Sequence, residues 1–291
     1  MGHGIAQVFA THEHGVFITD PNTDVLREAL EKVRHNLNQM GVPADPVLAR
    51  IALKDDLRTA VTDVDIVIEA APERLDLKQT VFADVARWAP DHAILASNTS
   101  VIPITDIGKH LEASVRERLV GTHWWNPPHL IPLVEVVRTN DTSDAVFEQV
   151  VQILKGVGKR PVRVLKDIPG FIGNRLQHAL WREAISLVER GICDASTIDE
   201  VITQSFGPRL AVLGPMANAD LTGLELARDV HRILFPDLDR STSPSPMLER
   251  LLAEGHTGMK SGKGLREWTP LSASAMRERL ALHLISAFKN A

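Results

Sequence analysis

Between Val16 and Leu165, short runs of aliphatic and β-branched residues alternate with longer stretches whose apolar positions recur at helical spacing. That alternation leaves few ways to build a core, because strands separated by helices pair in parallel and bury both faces of their sheet. Val16–Thr19, Asp65–Glu69, Ala93–Ala96, Leu119–Gly121, Leu133–Val137 and Val162–Leu165 read as strands. Gly4–Thr11, Thr23–Met40, Leu75–Trp88 and residues 144–156 read as helices. The second carries Val25, Leu26, Leu30, Val33 and Leu37 near helical period and stops at Gly41. The pattern changes at Asp167-Ile168-Pro169-Gly170. Beyond it the periods are helical over Ile172–Arg190, Ser196–Gln204, Leu248–Ala253 and Ser274–Phe288, with a polar loop at Asp237–Pro246. The expected architecture is a doubly wound α/β domain over residues 1–167 and an all-α domain over residues 168–291.

Charge and cysteine content narrow the function classes. Lys and Arg total 32 against 37 Asp and Glu, a net charge of −5, so no basic excess exists to neutralise a phosphate backbone and nucleic acid is not an expected partner. No run approaches the ~18 apolar residues of a membrane span. The single Cys193 excludes an internal disulfide and a multi-cysteine zinc site. His12-Glu13-His14 does not converge on an ion at that spacing, so no metal is expected. The same three residues break the first apolar run, which also lacks the basic start of an export signal, and the expected compartment is the cytoplasm.

The chain opens Met1-Gly2-His3-Gly4-Ile5-Ala6. In a Rossmann-type fold, G-x-G-x-x-G follows the first strand and opens a helix whose N-terminus faces a pyrophosphate. Gly2 fits the third glycine, while the first strand and first two glycines are absent from this chain. The natural chain is therefore expected to begin roughly a dozen residues upstream, and a full dinucleotide site to form poorly without that segment. Asp20 ends the next strand, where a carboxylate can accept hydrogen bonds from the adenosine ribose and disfavour a 2′-phosphate, which points to NAD. A turn residue before Pro21 is the plainer reading of Asp20.

From here the sequence resembles the 3-hydroxyacyl-CoA dehydrogenase family over essentially its whole length. Met1–Ala6 is similar to the end of the family's G-x-G-x-M-G-x-G-I-A stretch, and Ile68-Glu69-Ala70-Ala71-Pro72-Glu73 with Leu77-Lys78 to its second half-fingerprint. Ser97-Asn98-Thr99-Ser100 matches an SNTS turn, and His123–Glu135 an H-x-x-N-P…L-V-E block. Asp167–Leu176 resembles D-x-P-G-F-x-x-N-R, and Lys260-Ser261-Gly262-Lys263-Gly264 resembles K-[ST]-G-x-G.

The resemblance implies NAD-dependent oxidation of a secondary alcohol β to an acyl group, as in fatty acid metabolism. It makes His123 the general base and Glu135 its orienting partner. It puts Ser100 and Asn174 at the substrate oxygen, and Glu73, Lys78 and Lys260 at the cofactor. The plainer readings are a helix N-cap for Ser100 before Ile102–His110, a buried hydrogen-bonding residue for Asn174, and solvated charges for the other three. His123 ends one strand and Glu135 lies in the next, so the two can meet across the sheet. Trp125 could line the pocket or pack the core, and His129 is a pocket-wall or surface residue. The family implies a homodimer through the helical domain, where Leu176–Val188 is apolar.

Acyl-CoA is the leading substrate class by family prevalence. Two features favour a small hydroxy acid without CoA, as in relatives acting on gulonate, carnitine or pyridoxine-breakdown intermediates. Pro132 stands where acyl-CoA members commonly carry Lys, and Arg34–Asp45 lacks a lysine cluster for CoA phosphates. Arg209, in a loop that departs from the family pattern, could bind a substrate carboxylate or be a surface residue. A third reading is a cofactor-incompetent structural or binding protein.

Overall fold

The structure, a computed structural model, describes residues 1–288. Its first part runs α1 (Gly2–Thr11), β1 (Val16–Ile18), α2 (Thr23–Met40), α3 (Ala44–Leu48), β2 (Ile51–Leu53) and α4 (Leu57–Val61). There follow β3 (Ile66–Glu69), α5 (Leu75–Trp88), β4 (Ile94–Ser97), α6 (Ile104–Ile107) and α7 (Ala113–Arg116). Then come β5 (Leu119–Trp124), β6 (Leu133–Val137), α8 (Asp144–Gly156) and β7 (Arg160–Val164). The strands lie in two sheets, β1-β2 and β3-β4-β5-β6-β7. Every pairing is parallel except β5 with β6. This is the parallel-rich, Rossmann-like α/β class expected from the sequence.

Local chemistry explains the long helices. Asn22 caps α2 by accepting hydrogen bonds from the Asp24 and Val25 amides, and Gly41 ends it in the left-handed conformation at φ +69°. Its buried stripe of Leu26, Ala29, Val33 and Leu37 faces inward, with Val33 and Leu37 joining Ala10, Val47 and Ile51 in one cluster. The larger sheet has a core on each face. Ile94 and Ala96 of β4 pack with Ile5 and Phe9 of α1 and with Val150 and Leu154 of α8. Leu95 points the other way, to Phe82 and Val85 of α5.

The chain divides into two compact units, Met1–Arg175 with the stretch from Leu280, and Leu176–Arg279 between them. The division falls within α9 (Gly173–Glu189). The second unit continues with α10 (Ala195–Gln204), α11 (Gly207–Leu210), α12 (Pro215–Thr222), α13 (Leu224–Leu234) and α14 (Pro246–Ala253), and takes in the first half of α15 (Pro270–Phe288). Helices α10 to α14 contain no fully buried side chain, and Met216, Leu221 and Ile233 are each about three-quarters exposed. No described helix is long and apolar enough to cross a membrane.

Burial fixes where substitutions should matter. Phe82 is fully buried, so Phe82→Ala should cost about 3–5 kcal/mol of unfolding free energy in a urea titration. Phe17, with much of its ring in solvent, should tolerate the same change at under about 1 kcal/mol.

Candidate active site

The antiparallel β5–β6 pair puts His123 directly opposite Glu135. Their side chains meet at 2.7 Å, Nδ1 to Oε2, and both residues are buried. A carboxylate only accepts, so Nδ1–H donates and the Nε2 lone pair is left for chemistry. The second Glu135 oxygen accepts hydrogen bonds from the Ile172 and Gly173 amides at 2.9 and 3.0 Å. Burial pushes the Glu135 carboxyl up, but the His123 contact and these two amides outweigh it and hold its pKa below the ordinary value. Glu135 is thus fixed as an acceptor on both sides.

Two aromatic rings flank the imidazole. Trp125 lies 5.2 Å from it, centre to centre, and Phe171 lies at 5.8 Å. Phe171 has no exposed surface, whereas Trp125 is half-buried. The turn from β5 to β6 passes through a cis Asn126–Pro127 bond. Lys159 holds that turn by donating to the Pro128 and Ile131 carbonyls at 2.6 and 2.9 Å, and burial lowers its pKa to about 8. His129 faces Asn36, its Nδ1 3.4 Å from the amide nitrogen, and burial first, then the nearby His3 and Lys159, lowers its pKa to about 4.

The SNTS turn is held by a carboxylate. One Glu73 oxygen accepts from Thr99 Oγ1 at 2.5 Å and from the amides of Ser100, Val101 and Ile102 at 2.9 to 3.3 Å. Burial raises the Glu73 pKa, but these donors and the Lys78 charge bring it below normal. Lys78 has no exposed surface. Its ammonium donates to Glu69 at 2.8 Å and lies 3.5 Å from Glu73. Glu69 also accepts from Ser97 Oγ at 2.6 Å, and Asn98 Oδ1 accepts from the Trp124 amide. Asn174 donates to the Ser100 carbonyl at 2.8 Å. Ser100 is not a helix cap: α6 begins later, with Pro103 at its N-cap position.

Gly2 opens α1, and a Cβ on it would lie 3.9 Å from that of Ala70, just past the end of β3. Gly4 is buried where a Cβ would come within 2.7 Å of Pro128, so the helix start packs against the β5–β6 turn. Asp20 lies just past β1 and accepts a hydrogen bond from the Asn22 amide through one oxygen, at 2.8 Å. The helix start and a carboxylate beyond a parallel strand are two of the groups that a dinucleotide pyrophosphate and ribose need. Lys260 and Arg209 belong to the helical unit and are exposed there. The structure therefore brings His123, Glu135, Trp125, Ser100 and Asn174 into one cluster, with Glu73 and Lys78 behind the Ser100 turn.

Sequence profiles for the NAD binding domain and the C-terminal domain of 3-hydroxyacyl-CoA dehydrogenase match residues 1–168 and 170–268. The chain belongs to the 3-hydroxyacyl-CoA dehydrogenase family. It is thereby an NAD-dependent oxidoreductase. It is 35% identical over 271 residues to 5-formyl-3-hydroxy-2-methylpyridine 4-carboxylate 5-dehydrogenase of Mesorhizobium japonicum, spanning 90% of this chain and 87% of that one. It is 38% identical over 257 residues to L-carnitine dehydrogenase of Streptomyces griseus, spanning 83% and 76%. A crystal structure of 5-formyl-3-hydroxy-2-methylpyridine 4-carboxylic acid 5-dehydrogenase, an NAD+-dependent dismutase, superposes with a TM-score of 0.90 at 33% identity, covering 98% of this chain and 93% of that one. That of (S)-3-hydroxybutyryl-CoA dehydrogenase from Ralstonia eutropha gives 0.74 at 30% identity, covering 92% and 95%.

Sequence reasoning singled out the pair and the Ser100 turn but missed the groups that hold them: Glu69, Asn98, Lys159, Phe171 and Gly173. Glu69, Asn98, Phe171 and Gly173 lie inside the family motifs; nothing in the sequence marks Lys159. Because the folded-state pKa of Glu135 is depressed, its contribution to stability is present above the unfolded carboxyl's pKa and lost as pH falls through the folded value. Urea midpoints of the wild type should therefore drop more steeply below about pH 5 than those of Glu135→Gln. Parallel curves would mean that the pair does not bind the carboxylate form preferentially.

Proposed function

We propose that this dehydrogenase oxidises the alcohol of a compact hydroxy carboxylate rather than a CoA thioester, with His123 as base. The buried His123–Glu135 contact at 2.7 Å carries the assignment of the base, because it commits Nδ1 and leaves Nε2 as the one basic position of the ring. In the proposed reaction Nε2 takes the hydroxyl proton while the carbon–hydrogen bond breaks and the carbonyl forms. NAD, when bound, supplies the hydride acceptor. Glu135 stabilises the imidazolium that results. The Ser100 hydroxyl, which makes no hydrogen bond to another described residue, is the donor to the developing carbonyl oxygen. Asn174 and Glu73 keep that turn in place, and Lys78 acts on the cofactor region through Glu73. Gly2 and Asp20 hold the pyrophosphate and ribose; the family resemblance adds Lys260 as a cofactor contact, and Arg209 is a candidate partner for a substrate carboxylate.

Three observations favour the small substrate. The formyl-pyridine carboxylate dehydrogenase superposes better than the hydroxybutyryl-CoA enzyme. Pro132 stands where the family resemblance implies a lysine in acyl-CoA members, and Arg34, the one Lys or Arg in residues 34–45, is paired with Asp45 at 2.8 Å. The single thiol suits the cytoplasm. The apolar residues exposed on α10 to α14 support a homodimer through the helical unit.

NADH formation with 3-hydroxybutyrate, gulonate, carnitine and 3-hydroxybutyryl-CoA tests the substrate class, and the thioester should be the poorest. His123→Asn should lower kcat about 10²–10⁴-fold while calorimetry shows unchanged NADH affinity. No heat with NADH in the wild type would instead favour a binding protein without catalysis. Light scattering should give twice the chain mass, and a monomer at micromolar concentration would contradict the dimer.

A further inference from the structure

His123 lies in β5 and Trp125 follows just past its end, and the two rings come within 5.2 Å, centre to centre. Trp124, between them, points into the opposite core and is almost fully buried. Of the two rings beside the imidazole, only Trp125 keeps exposed surface, so the indole is the wall beside His123 that an incoming molecule can reach.

What fixes that wall is a glycine. A Cβ on Gly173 would fall 2.3 Å from Trp125 Cζ2, 3.2 Å from Cη2 and 3.3 Å from Cε2. Gly173 lacks the positive φ that would itself demand glycine, so the need is for space. The benzo edge of the indole therefore lies directly on the backbone at the first turn of α9. Its Nε1 is buried without a hydrogen-bond partner among the described residues, so no polar contact with them holds the ring in its plane. Packing, with Gly173 beneath its benzo edge, sets how far it reaches. The same glycine donates its amide to Glu135, so the contact that seats the wall also adjoins the group that orients the base.

We propose that Trp125 and Gly173 are a size-matched pair that determines specificity, closing the space beside His123 so that a compact hydroxy carboxylate fits and a long-chain one does not. The inference rests on His123 being the base, as argued above, and deepens that reading by naming the residue that limits substrate size. Trp125 touches the reacting region. Gly173 is a positioning residue that acts through it.

The test is a two-by-two set, wild type, Trp125→Phe, Gly173→Val and the double variant, assayed for NADH formation along 3-hydroxybutyrate, 3-hydroxyhexanoate and 3-hydroxyoctanoate. Trp125→Phe should raise the kcat/KM ratio of the eight-carbon to the four-carbon acid by about 10-fold or more, the scale that pocket volume can supply. Gly173→Val alone should lose at least about 100-fold in kcat/KM, or fail to fold, because its side chain collides with the indole. Adding Trp125→Phe should recover most of that loss, since residues in contact do not act additively. An unchanged chain-length ratio in an active Trp125→Phe enzyme, or a double variant no better than Gly173→Val, overturns the inference and leaves the His123 mechanism standing. A wild type that binds NADH but oxidises none of the acids, nor the other alcohols above, overturns the mechanism and the size limit with it.

Discussion

A single buried hydrogen bond between strands organises this molecule's chemistry. His123 and Glu135 face each other in the one antiparallel pairing of an otherwise parallel sheet. Directly opposed residues of an antiparallel pair bring their side chains close, so the register alone positions the imidazole and the carboxylate to meet. Burying the carboxylate would be costly if His123 were its only partner. Glu135 is retained as an anion because the amides of Ile172 and Gly173 complete its acceptor set. The start of α9 is thereby tied to the sheet, and Asn174 on the same turn reaches the Ser100 carbonyl.

A second buried network repeats that logic on the neighbouring strands. Glu69, Lys78 and Glu73 form a chain of alternating charge, and its last member gathers three amides and a hydroxyl of the Ser100 turn. Removing either member of the buried Glu69–Lys78 pair would strand a charge at about 3–5 kcal/mol, whereas the pair itself adds little net stability. Its value lies in giving a turn without regular structure a single conformation. The active-site residues thus rest on strand ends and are braced from behind by ions, so the site is preorganised before any ligand arrives.

Much of this was legible in the sequence, for identifiable reasons. Helix α2 was read with its exact limits because Asn22 and Gly41 are strong local stops. Strand β6 was equally clear as an unbroken aliphatic run. Strand β2 was missed: three residues between Arg50 and Lys54 are too few to show alternation, and its pairing with β1 is long-range information. Helices α12 and α13 were also missed. The first is built of small and polar residues, and the second follows Gly223, which reads as a breaker. The helix expected at Ile102–His110 shrank to one turn, and the capping reading of Ser100 fell with it. The sequence offers Lys78 as a cofactor contact, with a solvated charge as the plainer reading; neither includes its burial, which depends on partners, Glu69 among them, that only the fold assembles. The collision that makes Gly173 necessary comes from a side chain 48 positions earlier (173 − 125), which no local pattern reveals.

¹⁵N NMR of the His123 imidazole reads directly which ring nitrogen carries the proton. The Glu135 contact should give a neutral ring with Nδ1 protonated, its proton strongly downfield, and Nε2 unprotonated and basic. A ring protonated at Nε2, or one exchanging freely between tautomers, would contradict that assignment.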